Sequence, residues 1–406
     1  MRASLRDWSL LRDADVKAVL AALGGDAGAT RIVGGAVRDA LLGRPVTDAD
    51  LATIFPPAEV IARAEKAGLK TAPTGIAHGT VTVIAHGRPF EVTTLRRDVE
   101  TDGRHAIVSF TRDWAEDASR RDFTMNALYC DAAGEVFDPL GGLADLQAGR
   151  VRFIGDPEDR IREDYLRILR FFRFFAWHGS GRPDAEALKA CARLKAGIAT
   201  LSAERVWAEL KRLLVAPDPA RALLWMRTTE ILQKTLPESW GIDAVHRLIA
   251  AERAEGWQPD PLLRLQSILP PHRARLDALS SRLKLSRAEA ARLFAWADAP
   301  EIDPETGEGE LGKVLYRGEP GGILDRMRHA LAREMEAGHG EASDMLRALI
   351  RMAESWRRPV LPVQGKDLVA AGVAPGPEVG KRLKALEERW VESGFRLERE
   401  DLLSHI

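Results

Sequence analysis

Cysteine is nearly missing from this chain of 406 residues: only Cys130 and Cys191 occur, and neither stands at a metal-ligand spacing. A disulfide framework is thereby excluded, and a reducing cytosol is the expected setting. An excess of one charge is missing too, since 59 Lys and Arg against 60 Asp and Glu leave a formal net charge of −1. Without a global basic signature, nucleic acid could be held only by local arginine patches. Long apolar runs are also absent. Met1 to Leu20 mixes charges throughout and lacks an apolar signal core, and no segment approaches a membrane span, so a soluble cytoplasmic protein without a membrane partner is expected. No repeat of fixed period and no low-complexity tract is present.

What is there is ordinary for a globular protein, 45% hydrophobic and 29% charged, at a length that suits about two to four modules. Short β-rich runs fill the beginning: Arg31 to Val33, Asp50 to Ile54, Gly79 to Ala85, Phe90 to Leu95 and Ala127 to Asp131. The runs flanking His86-Gly87-Arg88-Pro89 alternate in polarity and read as a hairpin. From Pro157 onward helical periodicity takes over, with segments near Asp159 to Trp177, Ala203 to Leu214, Pro219 to Ile231, Arg275 to Leu283 and Arg287 to Trp296. Breaks follow at Asp298 to Gly312, Gly318 to Gly322 and Arg358 to Val363.

Gly34-Gly35-Ala36-Val37-Arg38-Asp39 closes the first strand-like run, and Asp48-Ala49-Asp50 follows nine residues after Asp39. The glycines permit a tight turn into a helix over Ala36 to Leu42, with Gly43 as its C-terminal cap. Unpaired N–H groups at that helix start, with Arg38 one turn in, suit a phosphate. An ordinary strand-turn-helix corner is the plainer alternative. On a strand beginning at Asp50, residues two apart share a face, so Asp48 and Asp50 project together while Leu51 points into the core. Two carboxylates so close favour a shared cation, and hard oxygen ligands suit Mg²⁺ bound jointly with substrate phosphates. A solvated aspartate turn remains the alternative.

Three further stretches carry chemistry. Thr101-Asp102-Gly103-Arg104-His105 lies in a polar segment between Arg96 and Phe110 that reads as an exposed loop or as a mobile lid. Arg120-Arg121-Asp122-Phe123-Thr124-Met125-Asn126 offers guanidinium groups for phosphate and Asp or Asn for ribose hydroxyls, or else a helix start capped by Asp122. In Glu163-Asp164-Tyr165-Leu166-Arg167-Ile168-Leu169-Arg170-Phe171-Phe172-Arg173, read as one helix, Asp164, Arg167, Arg170 and Arg173 form a polar row stepping by three on an otherwise apolar element. This row is either a salt-bridge ladder, with Glu163 to Arg167 at i, i+4, or a hydrogen-bonding edge for a nucleobase.

Taken in order with Asp138-Pro139-Leu140-Gly141-Gly142-Leu143 and Glu204-Arg205-Val206-Trp207-Ala208-Glu209-Leu210, these stretches resemble the successive motifs of class II nucleotidyltransferases over about residues 30 to 215. Thr93-Thr94-Leu95-Arg96 with the Thr101 to His105 segment makes the chain most similar to the bacterial and mitochondrial CCA-adding enzymes. The resemblance implies an α+β fold: a small mixed-sheet nucleotidyltransferase head like that of polymerase β, then an all-α neck, body and tail. The expected divisions are a catalytic head over 1–153, a neck over 154–215, an RNA-binding body over 216–298 and a tRNA-binding tail over 299–406.

It assigns catalysis and Mg²⁺ binding to Asp48 and Asp50, and nucleotide contacts to Gly35, Arg38, Arg121, Asp164, Arg167, Arg170 and Arg173. Asp164 and Arg167 would pair with the base of CTP or ATP, and the Arg96 to His105 loop would help the switch from C to A. The primer would be the tRNA 3′ end, with no obligate protein partner. Its 3′-OH, activated by one ion, would attack the α-phosphate and release pyrophosphate while the other ion neutralises the triphosphate. Glu91 is a candidate third carboxylate or a surface glutamate. None of the nine His is followed by Asp, so the His-Asp phosphohydrolase domain of some relatives has no counterpart. A poly(A) polymerase, an enzyme adding only part of CCA, and a catalytically inactive RNA-binding homologue are the alternatives.

Overall fold

The computed structural model describes residues 3–101 and 106–404; the Asp102 to His105 part of the expected lid lies outside the described residues. Contacts divide the chain into two units, Met1–Thr235 and Leu236–Ile406. Among the described residues, no helix is long and apolar enough to cross a membrane.

The first unit begins with α1 (Ala14–Ala22), capped by Asp13, whose carboxylate accepts from the N–H groups of Asp15 and Val16 at 2.9 and 3.1 Å. There follow β1 (Thr30–Val33), α2 (Gly35–Leu41), β2 (Leu51–Thr53), α3 (Pro57–Lys66), β3 (Lys70–Gly75), β4 (Thr80–Ala85) and β5 (Arg88–Thr94). Then come β6 (Arg96–Thr101), β7 (Ala106–Phe110), α4 (Trp114–Ser119), β8 (Tyr129–Cys130), β9 (Val136–Phe137) and α5 (Gly142–Gln147). A seven-stranded mixed sheet has the order β3-β4-β5-β2-β1-β8-β9, with β2 and β5 parallel and the other pairs antiparallel. In β4 every second residue is buried, the expected alternation, and the turn to β5 uses His86 and Gly87 at φ 47 and 90, both left-handed.

Two expectations change here. The stretch from Arg96 to Phe110, read as a loop, pairs as the two-stranded β6–β7 sheet, with Arg96 opposite Phe110. The charged run from Arg96 to Thr101 carries no alternation of its own and becomes a strand by pairing with Ala106 to Phe110. The long helix expected over Asp159 to Trp177 is two: α6 (Pro157–Glu163) and α7 (Leu166–His178), with Asp164 extended between them at φ −156, ψ 108.

Against α7 pack α9 (Ala203–Leu214) and α10 (Ala220–Thr228), while α8 (Ala185–Leu194) packs on α6 and α11 (Ile231–Thr235) on α10. Phe171, Phe172, Phe174 and Phe175 of α7 are buried, and Phe171 stacks on Phe153 at 5.7 Å between centroids. This aromatic packing holds α7 against the segment before α6, so its polar side faces the site. The second unit is entirely helical among the described residues: α12 (Ala244–Glu255), α13 (Pro261–Gln266), α14 (Arg273–Leu283), α15 (Arg287–Asp298), α16 (Glu308–Arg317), α17 (Pro320–Ala337), α18 (Gly340–Ser355), α19 (Gly365–Ala370), α20 (Pro377–Glu392) and α21 (Arg399–Leu403). A buried Arg264–Glu252 pair at 2.6 Å ties α13 to α12.

Candidate active site

The corner between β1 and α2 is built on Gly34, at φ 72 and ψ −124, a conformation that disfavours any residue with a Cβ. Its N–H donates to the Leu128 carbonyl at 2.9 Å, which fixes the turn against β8. Arg38, nearly buried, donates through Nη1 to Asn126 Oδ1 at 2.7 Å and through Nε and Nη2 to Asp39 at 3.0 and 2.8 Å. The helix and its Gly43 terminus, at φ 67, stand where the sequence puts them.

Asp48 and Asp50 stand on the approach to β2 instead of within it, because the strand begins at Leu51. The Asp50 carbonyl still accepts from Val33 N–H at 3.0 Å, so the ladder reaches Asp50 but not Asp48. Leu51 is buried, as its alternation requires. In the parallel pair, Leu51 lies opposite Val92, which brings Asp50 beside Glu91 one rung earlier. Loss of hydration and the neighbouring Glu91 raise the Asp50 carboxyl above the usual range; Arg121 opposes this and Asp48 adds to it. Among the described residues no three His, Cys, Asp or Glu side chains gather as a ready metal cage. Crowded, hard-oxygen carboxylates at an open edge fit a divalent cation that takes its remaining ligands from substrate and water.

Behind them lies a buried acid. Asp117 accepts from Arg120 Nη2 at 2.7 Å, Arg121 Nη2 at 3.1 Å and the Tyr129 hydroxyl at 2.8 Å. Burial pushes Asp117 upward, but the two guanidinium groups outweigh it and hold the carboxyl below the usual range. Arg121 is thus fixed in orientation while still lining the cavity. Asp122 accepts from Asn126 Nδ2 at 3.0 Å and from Arg170 Nε at 2.8 Å. Gly142 steadies this stretch: a Cβ there would stand 2.0 Å from the Thr124 carbonyl oxygen, and Thr124 Oγ1 donates to Asp145 at 2.7 Å.

The polar row is real but is not a single helical stripe. Asp164 precedes α7 and caps it, with Oδ1 accepting from Leu166 N–H at 3.1 Å, while Arg205 Nη2 donates to Oδ2 at 2.6 Å. Arg167 donates through Nη1 to the Arg160 carbonyl at 2.8 Å and to Glu163, so the expected i, i+4 pair forms. Arg173 Nε donates to Glu209 at 2.6 Å.

One cavity of about 470 Å³, within the roughly 300–1,000 Å³ usual for small-molecule sites, collects Gly35, Arg38, Asp50, Arg121, Asp164, Arg167 and Arg170. Gly34, Asp122, Asn126, Phe174 and Arg205 line it as well. Two sequence candidates are not on its wall. Asp48 is exposed and accepts from Thr47 Oγ1 at 3.3 Å, and Arg173 lines an adjoining cavity with Arg44, Trp177 and His178. Arg205 and Glu209 received no role of their own from the sequence, and Asn126, read there as a contact for ribose hydroxyls, bonds Arg38 and Asp122. The spacing of four between Arg205 and Glu209 was the available signal, since it puts an arginine and a glutamate on one face of α9, complementary to Asp164 and Arg173.

Residues 30–152 match the family described as the Poly A polymerase head domain, and residues 182–241 match the probable RNA and SrmB-binding site of polymerase A. The mitochondrial CCA tRNA nucleotidyltransferase 1 of Mus musculus is 37% identical over 386 residues, 93% of this chain and 86% of the relative. The CCA-adding enzyme of Geobacillus stearothermophilus is 34% identical over 379 residues, 91% of this chain and 90% of the relative. The crystal structure of the Bacillus stearothermophilus CCA-adding enzyme in complex with CTP superposes with a TM-score of 0.71 at 31% identity, covering 97% of this chain and 96% of that one.

Proposed function

This chain belongs to the family of CCA-adding enzymes, the CCA tRNA nucleotidyltransferases, and on that premise we propose that it adds C, C and A without a template to the 3′ end of tRNA, using CTP and ATP. The observation that carries the reading is the shared cavity, in which Asp164 and Arg167 meet Gly34, Gly35 and Asp50 from the opposite end of the catalytic region. Asp164 presents acceptors, and Arg167 has Nε and Nη2 free of partners among the described residues. That donor and acceptor pair complements the amine and ring nitrogen shared by cytosine and adenine.

Arg38, Arg121 and Arg170 line the cavity around the triphosphate and stabilise the charge of departing pyrophosphate as the primer 3′-OH attacks the α-phosphorus in line. Asp48 and Asp50 would hold the divalent cation, Mg²⁺ in this reading, and Glu91 beside Asp50 adds to the negative charge that favours it. When bound, the metal supplies Lewis acidity toward the 3′-OH and the triphosphate. Gly35 gives close backbone approach, and Arg173 acts from the adjoining cavity by positioning Arg170 through their shared partner Glu209. The reading keeps a head over 1–153, a neck over 154–215, a body over 216–298 and a tail over 299–406. It places the enzyme in the cytoplasm, in keeping with two cysteines that are free and buried.

The test is incubation with tRNA lacking its 3′ terminus and with CTP, ATP or both. Growth that stops after three added nucleotides supports the proposal; a long A tail, or arrest after C alone with both nucleotides present, would assign one of the related activities instead.

A further inference from the structure

The second unit contains a cavity that the nucleotidyltransfer chemistry does not use. Its volume is about 130 Å³, and it is walled by α12, α15, α17 and the residues following α13. Three arginines line it: Arg247, Arg326 and Arg333. Their charge is poorly compensated. Arg247 reaches Glu336 only at 3.5 Å, and Arg326 donates to the neutral carbonyls of Trp296 and Ala297 at 3.0 and 3.3 Å. Arg333 has no hydrogen-bond or ion-pair partner among the described residues, and Glu301 is the lining carboxylate.

The rest of the wall adds no negative charge. His329 Nε2 stands 3.2 Å from Gln266 Oε1, and the Gln266 amide nitrogen donates to Asp325 at 2.8 Å, so the oxygen must accept and the histidine must be the donor. Burial, with Arg247, Arg326, Arg333 and Arg292 nearby, lowers His329 to about 3, so the ring is neutral near pH 7. Arg326 is itself made a weaker base, first by burial; Glu301 opposes this, and Arg333 adds to it to a smaller extent. Arg333 is exposed and Arg247 and Arg326 are half-buried, so three like charges converge on a cavity open to solvent on one side, an arrangement that favours an entering anion. Trp240, 68% exposed, stands at the rim.

We infer that this cavity is a binding site for a phosphoryl oxyanion, gripped by Arg247, Arg326 and Arg333. Its volume suits one phosphate group and falls below the roughly 300 Å³ at which sites for larger small molecules begin. The phosphoryl group can come from free inorganic phosphate or from the backbone of an RNA chain, and the two sources separate in one set of experiments.

Crystals of the full chain soaked in selenate, a phosphate-shaped anion with an anomalous signal, give the location directly. An anomalous peak among the three arginines is expected, and its absence at saturating selenate overturns the inference. Titration of inorganic phosphate into the double variant Arg247→Gln, Arg333→Gln should show at least a tenfold weaker affinity at one site while CTP binding stays unchanged. Arg333→Lys, which keeps the charge, should retain most of the affinity. An unchanged phosphate isotherm in a folded double variant also refutes the site. Binding of tRNA to the same variant names the source: a loss with a salt slope shallower by about one charge per removed contact identifies RNA phosphate, and unchanged tRNA binding identifies the free anion. Neither result depends on nucleotide addition, so this site and the proposed activity stand or fall separately.

Discussion

Arg205 of α9 donates to Asp164 at 2.6 Å across forty-one residues of sequence, and this one pair orients the carboxylate that we propose reads the base. Arg205→Met is therefore expected to leave the fold intact and loosen the Asp164 carboxylate. A charge-assisted hydrogen bond of this kind contributes about 1.5–3 kcal/mol, so kcat/KM for CTP and ATP should fall roughly tenfold to a hundredfold. Single-nucleotide incorporation kinetics check this, with tRNA affinity as the control that should not move.

Buried Asp122 and half-buried Arg170 form the ion pair between the head segment and α7. Burial alone would raise Asp122, but Arg170 and Asn126 hold its carboxyl below the usual range. The stability it contributes is thus present above the unfolded carboxylate pKa and is lost as pH falls through the lower folded value. Arg170→Ala removes the compensation and should cost about 3–5 kcal/mol. In that variant only Asn126 and the Phe123 N–H still favour the carboxylate, so the Asp122 carboxyl moves upward and the stability gained on raising the pH should shrink. Urea unfolding of both proteins at several pH values measures the smaller pH dependence.

Gly142→Ala should be destabilising although the helix propensity of alanine is better. The added Cβ would meet the Thr124 carbonyl at 2.0 Å, and a backbone atom cannot turn aside as a side chain can. A loss at the upper end of roughly 1–3 kcal/mol is expected, with weaker CTP binding as the Asn126 segment shifts. Denaturation midpoints and nucleotide titration give the two readouts.

Chelation should abolish nucleotide addition, and added Mg²⁺ should restore it. Asp48→Ala is expected to reduce incorporation at least a thousandfold while CTP binding changes little, because Asp48 stands outside the wall of the nucleotide cavity. Full incorporation by Asp48→Ala would remove this residue from the metal site.

Much of the catalytic unit was legible because its signals are local. Alternation in β4 and the His86-Gly87 turn gave a hairpin, Gly34 and Gly43 bracketed α2, and the periodicity of Ala203 to Leu214 matched α9 end to end. The illegible parts depend on distant partners. No Pro or Gly marks the break at Asp164; it is held by the capping bond to Leu166 and by Arg205 from another helix. Strand β3 was missed because Lys70 to Gly75 contains Pro73 and a terminal glycine and lies at the sheet edge, where no buried face writes a pattern. Of the site, the glycine corner and the individual charged residues could be read, whereas the shared role of Asn126, Asp122 and Arg170 required the packing of α7.

The central claim is that Asp164 and Arg167 choose the base in place of a template, and the ratio of kcat/KM for CTP to that for UTP tests it most directly. Uracil reverses the donor and acceptor at the two edge positions that cytosine offers, so the intact enzyme should prefer CTP strongly. In Asp164→Ala the preference should fall at least tenfold while some incorporation of both nucleotides persists. Unchanged discrimination in that variant would contradict the account and place base selection elsewhere.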